Sequence, residues 1–211
     1  MNRIEKTKKY LYESYEKSKY LQKNPKEKMY RHEHTLRVAK WGEKIARNEE
    51  LDQEALIVGC LLHDISYIEE MDTREKQVGH GRRSAEIVKD FVDSLGFEEE
   101  TKKDILYGIS IHVDGQAAFE WKDSVLAESI SDADNLDRFD VYRIYETLEY
   151  SGYSSMRNEE KEIFCRERLD AIYQNLQEDF STPFATVVFH DELRFMEEFY
   201  KRLQQQCLNS K

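Results

Sequence analysis

The sequence predicts an all-α domain, and three observations carry that prediction. Two prolines and eight glycines in 211 residues leave few places where a helix must stop. Apolar residues recur three and four positions apart through most of the chain, which is the period of one helix face. No run of alternating apolar and polar residues is long enough to require a strand. Apolar residues make up 39% of the chain and charged residues 36%, so the helices should be strongly two-faced. The length suits one domain, residues 1–211, built around one core.

In chain order, helices are expected over roughly 3–22, 30–48, 52–64, 82–95, 98–112, 122–135, 137–151, 157–178 and 184–207. The first carries five lysines and four tyrosines between Ile4 and Leu21. A stacking and charged surface for nucleic acid is one reading of it. Three glutamates interrupt that surface, and tyrosines at helical spacing favour packing instead. Breaks are expected at Asn24-Pro25, around Gly79-His80-Gly81, at Leu95-Gly96, from His112 to Gln116, at Ser151 to Ser155 and at Ser181-Thr182-Pro183. Thr182 before Pro183 suits a helix start with proline at the first helical position. Ala185 to Phe189 is the most β-prone stretch, but a helical stripe runs on from Phe189 through Leu193, Met196 and Tyr200.

Charge and cysteine usage narrow the function. With 43 acidic against 32 basic residues the formal charge is −11, a field that repels phosphate backbones and argues against a nucleic-acid partner. The three cysteines, Cys60, Cys165 and Cys207, are far apart and suggest neither a disulfide framework nor a zinc-type pair. Residues Met1 to Lys9 are charged, and no apolar run of roughly 18 residues follows. The expectation is a cytoplasmic protein with no membrane segment.

Four ionisable residues stand out against apolar surroundings. His34 shares a helical stripe with Val38, Trp41 and Ile45. His63 and Asp64 close the apolar run from Ala55 to Leu62, and Asp134 shares a stripe with Ala127 and Ile130. Burying such groups is costly unless something pairs with them, and one divalent cation would offset the cost for all four. Adjacent helical residues point about 100° apart, so His63 and Asp64 can share an ion only where a helix ends or distorts. Asp132, Asp134 and Asp137 compete for the last ligand. Asp132 lies on the polar stripe of Glu128 and Ser124 and is expected to be a surface or capping residue. Asp134 points inward, and Asp137, one turn on, could orient a ligand or water behind it.

In this order, His34-Thr-Leu-Arg37-Val38, Leu61-Leu62-His63-Asp64-Ile65 and Ala133-Asp134-Asn135-Leu136-Asp137 resemble the H…HD…D signature of the HD-domain superfamily of metal-dependent phosphohydrolases. The likeness spans roughly residues 30 to 140. Thr182-Pro183-Phe184-Ala185 and the charged helix after it are similar to the C-terminal helix of one subgroup of small bacterial HD proteins. The resemblance implies a helical bundle with helices 157–207 packed on the motif core. It also implies a divalent metal (Mn, Fe, Co, Ni, Zn or Mg) held by His34, His63, Asp64 and Asp134. Such an ion lowers the pKa of a water it binds and polarises a phosphoryl oxygen, so the implied function is hydrolysis of a nucleotide or other small phosphate ester. A metal-stabilised ligand-sensing or structural module with little turnover is the alternative.

Other residues fill the expected site. The resemblance places histidines like His80 and His112 near the metal, where they contact substrate or water or hold a second ion. An oxygenase with two irons would need both bound to metal. His80 is expected just ahead of a helix N-terminus flanked by Arg82 and Arg83, a suitable seat for phosphate. Arg37 and Arg138, one turn after His34 and Asp134, are further candidate phosphate contacts. Asp137 joins His80 and His112 as a candidate in the chemistry, whereas His32 and His190 are expected outside it. The sequence also departs from its relatives. Ser66 stands where glycine often follows His-Asp-Ile, there is no Gly-Tyr-Pro element of the cyclic-dinucleotide phosphodiesterases, and Glu69-Glu70 is out of register with the Glu-Asp pair of the (p)ppGpp hydrolases.

Overall fold

A computed structural model describes residues 1–210. Among them are ten α-helices, two short 3-10 helices and no strand. The chain forms two compact units, one from Met1 to Asn135 and one from Leu136 onward. No helix among the described residues is long and apolar enough to cross a membrane.

The first unit is organised around α4 (Gln53–Leu62). Every residue from Ala55 to Leu62 is buried, as expected of a helix that is apolar all round. Asp52 caps its start by accepting the Ala55 N–H at 3.0 Å. Helices α1 (Arg3–Lys17), α3 (Pro25–Asn48) and α6 (Glu99–Ile111) pack against it, and α5 (Arg74–Ser94) packs on α6. Each fully buried leucine or isoleucine of this core, such as Leu56, Leu61, Ile105 and Ile109, contributes about 1.5–3 kcal/mol. Two tyrosines of the lysine- and tyrosine-rich first helix pack inward. Tyr15 is buried, and the Tyr10 ring stacks on Phe91 with centroids 4.0 Å apart.

Several boundaries differ from the expected ones for physical reasons. The first helix stops at Lys17, because Ser18 turns extended and its hydroxyl accepts the Leu21 N–H at 3.0 Å to start α2 (Lys19–Lys23). α3 begins at Pro25 rather than 30, since proline lacks only an N–H that the first turn leaves unpaired anyway. The break expected at Gly79-His80-Gly81 does not occur, and α5 runs through it from the Thr73 cap. Gly81 serves close helix approach instead of a turn: a Cβ there would lie 2.7 Å from the Ser110 carbonyl oxygen and 2.8 Å from that of Ile109.

α7 (Val125–Phe139) continues past the expected end at 135, and the chain restarts only at Asp140, whose carboxylate accepts the Val141 N–H. The second unit contains α8 (Val141–Tyr150), α9 (Asn158–Asn175) and α10 (Pro183–Leu208). Thr182 caps α10 by accepting the Ala185 N–H at 3.2 Å, and the β-prone Ala185–Phe189 stretch is helical. Phe189 anchors this core, stacked on Phe180 at 4.2 Å and edge-on to Phe139 at 5.0 Å.

Candidate metal centre

The C-terminal ends of two buried helices supply the first groups of the site. α4 ends at Leu62 with His63 as its cap, and α6 ends at Ile111 with His112 as its cap. Helix C-termini leave carbonyls without partners and carry partial negative charge, which favours a cation. In each case the histidine turns back on its own helix. His63 Nδ1 donates to the Cys60 carbonyl at 2.8 Å and His112 Nδ1 to the Ile109 carbonyl at 2.7 Å. His80, in the middle of α5, does the same to the Gln77 carbonyl at 2.6 Å. Carbonyls only accept, so in each ring Nδ1 carries a proton and Nε2 is the nitrogen that faces the site, open to a proton or a metal ion.

Those Nε2 atoms converge. The rings form a chain from His34 to His63, His112 and His80, with successive centroids 5.3, 5.0 and 4.9 Å apart. After His63 the backbone leaves the α-helix at Asp64 and enters the 3-10 turn Ile65–Ile68. That distortion lets the adjacent pair face one point. Asp64 Oδ2 lies 3.6 Å from both His34 Nε2 and His63 Nε2. Asp134, on α7, completes this group, with Oδ1 3.2 Å from His34 Nε2 and 3.7 Å from His63 Nε2. The other oxygen of Asp64 faces a second group: Oδ1 is 3.0 Å from His80 Nε2 and 3.5 Å from His112 Nε2.

These spacings fit metal coordination. Two ligands at about 2.1 Å from one ion lie about 3.0 Å apart at a right angle and about 3.4 Å apart at a tetrahedral angle. Three subsets meet the spacing for one ion: His34, His63 and Asp64; His63, His112 and Asp134; and Asp64, His80 and His112. His63 Nε2 is fully buried with no hydrogen-bond partner, a costly state that a bound cation would relieve. The donor set of imidazoles and carboxylates suits borderline divalent ions. Exposure is least at His63 and greatest at His80 (12%) and Asp134 (10%), so solvent reaches the centre at those two side chains.

Electrostatics holds both carboxylates anionic. Burial alone would raise Asp64, but His63, hydrogen bonds from His112 and His80, and Arg31 more than reverse that and keep it well below the usual carboxyl range. Asp134 is likewise raised by burial and lowered further by His34 and His63, ending well below it. The hydrogen bonds in question need protons on Nε2. The centre therefore holds either protons or a metal ion at the same positions.

The structure brings His34, His63, Asp64, Asp134, His80 and His112 together. It places the others elsewhere or in other company. Arg82 Nη1 bonds both oxygens of Asp114 at 2.8 Å, while Arg83 is held by Glu69 and Glu86. With His80 inside a continuous helix, the expected helix N-terminus between Gly81 and these arginines does not exist, and neither does the phosphate seat argued from it. Glu69 is committed to Arg83, and Glu70 is exposed. Arg37 is half-buried on α3. Asp137 is buried and Arg138 exposed, both in the second unit; Asp137 belongs to none of the metal-capable groups among the described residues. Asp132 is buried rather than at the surface, because α7 from Leu126 to Asp137 is covered on nearly every side. His190 donates to the Glu178 carbonyl at 2.9 Å, outside the site as expected.

Sequence reasoning missed Arg31 and Tyr67. Arg31 Nη1 donates to Asp64 Oδ2 at 3.0 Å, and its guanidinium lies over the Tyr67 ring. The available signal was spacing, since Arg31 precedes His34 by three residues and so shares its helix face.

No curated protein matches the chain. The crystal structure of a predicted HD superfamily hydrolase from an uncultured Thermotogales bacterium matches with a TM-score of 0.65 at 20% identity, covering 97% of this chain and 93% of that one. At that identity the likeness establishes the shared fold. The family model of the HD domain matches residues 31–138, just over half of the chain, and that span contains all six converging residues. The chain belongs to the HD-domain family.

Proposed function

We propose that this protein is a metal-dependent phosphohydrolase acting on a nucleotide or another small phosphate ester. The observation that carries the reading is the convergence of imidazole Nε2 atoms and two ionised carboxylates on one buried point, with His63 Nε2 left without a protein partner. His34, His63, Asp64 and Asp134 would hold the ion, with His80 and His112 facing the other oxygen of Asp64. The ion, of the Mn, Fe, Co, Ni, Zn or Mg class, would activate water and polarise a phosphoryl oxygen.

The chain's own groups set the stage for that chemistry. The Nδ1–H bonds to Cys60, Gln77 and Ile109 lock three rings with Nε2 pointing inward, so little reorganisation accompanies binding. The apolar wall of α4 and α6 lowers the local dielectric and strengthens each charge interaction. Substrate would enter where the side chains of His80 and Asp134 keep their slight exposure, and Arg37 is the candidate cation for its phosphate. The test is hydrolysis of a panel of nucleotides and simple phosphate esters by protein loaded in turn with several divalent ions. Metal-dependent release of phosphate supports the reading. A fully loaded protein that hydrolyses none of them points instead to a metal-stabilised sensing or structural module.

A further inference from the structure

A largely buried guanidinium stands beside the carboxylate that both halves of the centre share. Arg31 lies on α3, one turn before His34, with its side chain 16% exposed. Nη1 donates to Asp64 Oδ2 at 3.0 Å, and Nε donates to Glu27 Oε1 at 2.8 Å. The face of the same group covers Tyr67, with Cζ 3.3 Å from the ring centroid. Two edges and one face are thus occupied, which fixes a rigid planar fork in one place. Removing an arginine from water this far is costly, so the seat calls for a stronger reason than an ordinary ion pair.

The reason lies in how Asp64 is used. Its two oxygens go separate ways: Oδ2 faces His34 and His63, and Oδ1 faces His80 and His112. Rotation of a carboxylate about its last torsion is soft, so the backbone at Asp64 does not by itself enforce this division. A donor fixed on Oδ2 does enforce it. Glu27 and Tyr67 in turn keep the donor from swinging away.

We propose that Arg31 is a positioning residue, which holds Asp64 in the rotation that gives Oδ2 to the group of His34, His63 and Asp134 and Oδ1 to the group of His80 and His112. This rests on reading the centre as a divalent-cation site. Lysine cannot replace arginine here, because a point donor on a flexible stem cannot grip Glu27 and Asp64 while lying flat on Tyr67.

The test is a cobalt(II) titration of the whole metal-stripped chain, followed by visible absorption and by metal analysis after gel filtration. Native protein is compared with Arg31→Met, Arg31→Lys and Glu27→Gln. Both Arg31 variants should bind cobalt about 10–100-fold more weakly, as when an outer partner of a metal ligand is lost, and should shift the visible bands. Glu27→Gln should move in the same direction by a smaller factor. An arginine that only packs would lower the Tm of the stripped protein while leaving the cobalt affinity and spectrum of folded molecules unchanged. That result overturns the proposal. Should Arg31→Met fail to fold, Arg31→Lys and Glu27→Gln carry the same comparison. Native protein that binds no cobalt removes the metal centre itself, whereas native binding matched by all variants removes only the role of Arg31.

Discussion

His80 Nε2 and His112 Nε2 face each other at 3.0 Å, although each ring has already given its Nδ1 proton to a backbone carbonyl. Without a proton on either Nε2, two lone pairs at that distance would repel, and Asp64 Oδ1 adds a third acceptor at 3.0 Å from His80. Only a proton or a cation between them makes the arrangement favourable. The protein has therefore built a second face of the centre that, like the first, asks for positive charge.

Replacing either histidine should expose that requirement. His80→Ala and His112→Ala should each weaken metal uptake on the Asp64 Oδ1 side by about 10–100-fold while His34, His63, Asp64 and Asp134 keep their share. Metal content per chain and turnover on any active substrate should fall together. Unchanged metal content and turnover in both variants would place the two rings outside the chemistry.

The aspartates of α7 should separate cleanly. Asp134→Asn removes an anionic oxygen 3.2 Å from His34 Nε2 and should strip the metal. Asp132→Asn should leave the metal in place but lower stability by about 1–3 kcal/mol, because Asp132 is buried. Metal analysis beside thermal unfolding distinguishes them, and the opposite pattern would show that the wrong carboxylate has been placed at the ion.

Gly81→Ala tests the helix contact that seats His80. The added methyl would lie 2.7 Å from the Ser110 carbonyl oxygen, so α5 and α6 must part. Overpacking of this kind costs about 1–3 kcal/mol, and it should also weaken metal binding through the shifted His80. A Tm equal to native would mean that the helices yield there without strain.

The acid limb of stability follows from the depressed carboxyls. Asp64 and Asp134 lie well below their ordinary value in the folded protein. Their contribution is fully present above the unfolded value, near about 3.9, and is lost as pH falls through the folded values. In metal-stripped protein, the Tm difference between native and Asp134→Asn should therefore hold at neutral pH and shrink below about pH 4. Parallel acid limbs would contradict the shift.

Much of this was legible in the sequence because it is local. The period of apolar residues located the helices, and the cost of burying His34, His63, Asp64 and Asp134 marked one site before any distance was known. What failed was set by distant parts of the chain. Gly81 looks like a helix breaker until the Ser110 carbonyl is seen beside it. Asp132 looks exposed on a one-faced helix, but α7 is covered nearly all round. Arg31 looks like one more surface charge, and only the fold shows Asp64 and Tyr67 closing over it.

The most direct test of the central claim is calorimetric titration of metal-stripped protein with manganese or zinc near neutral pH, in two buffers of different ionisation enthalpy. Protons and metal compete for the same Nε2 atoms, so the account predicts saturable binding with proton release, abolished in folded His63→Ala. Absence of saturable binding to the native chain, or binding to His63→Ala as tight as to native, would contradict it.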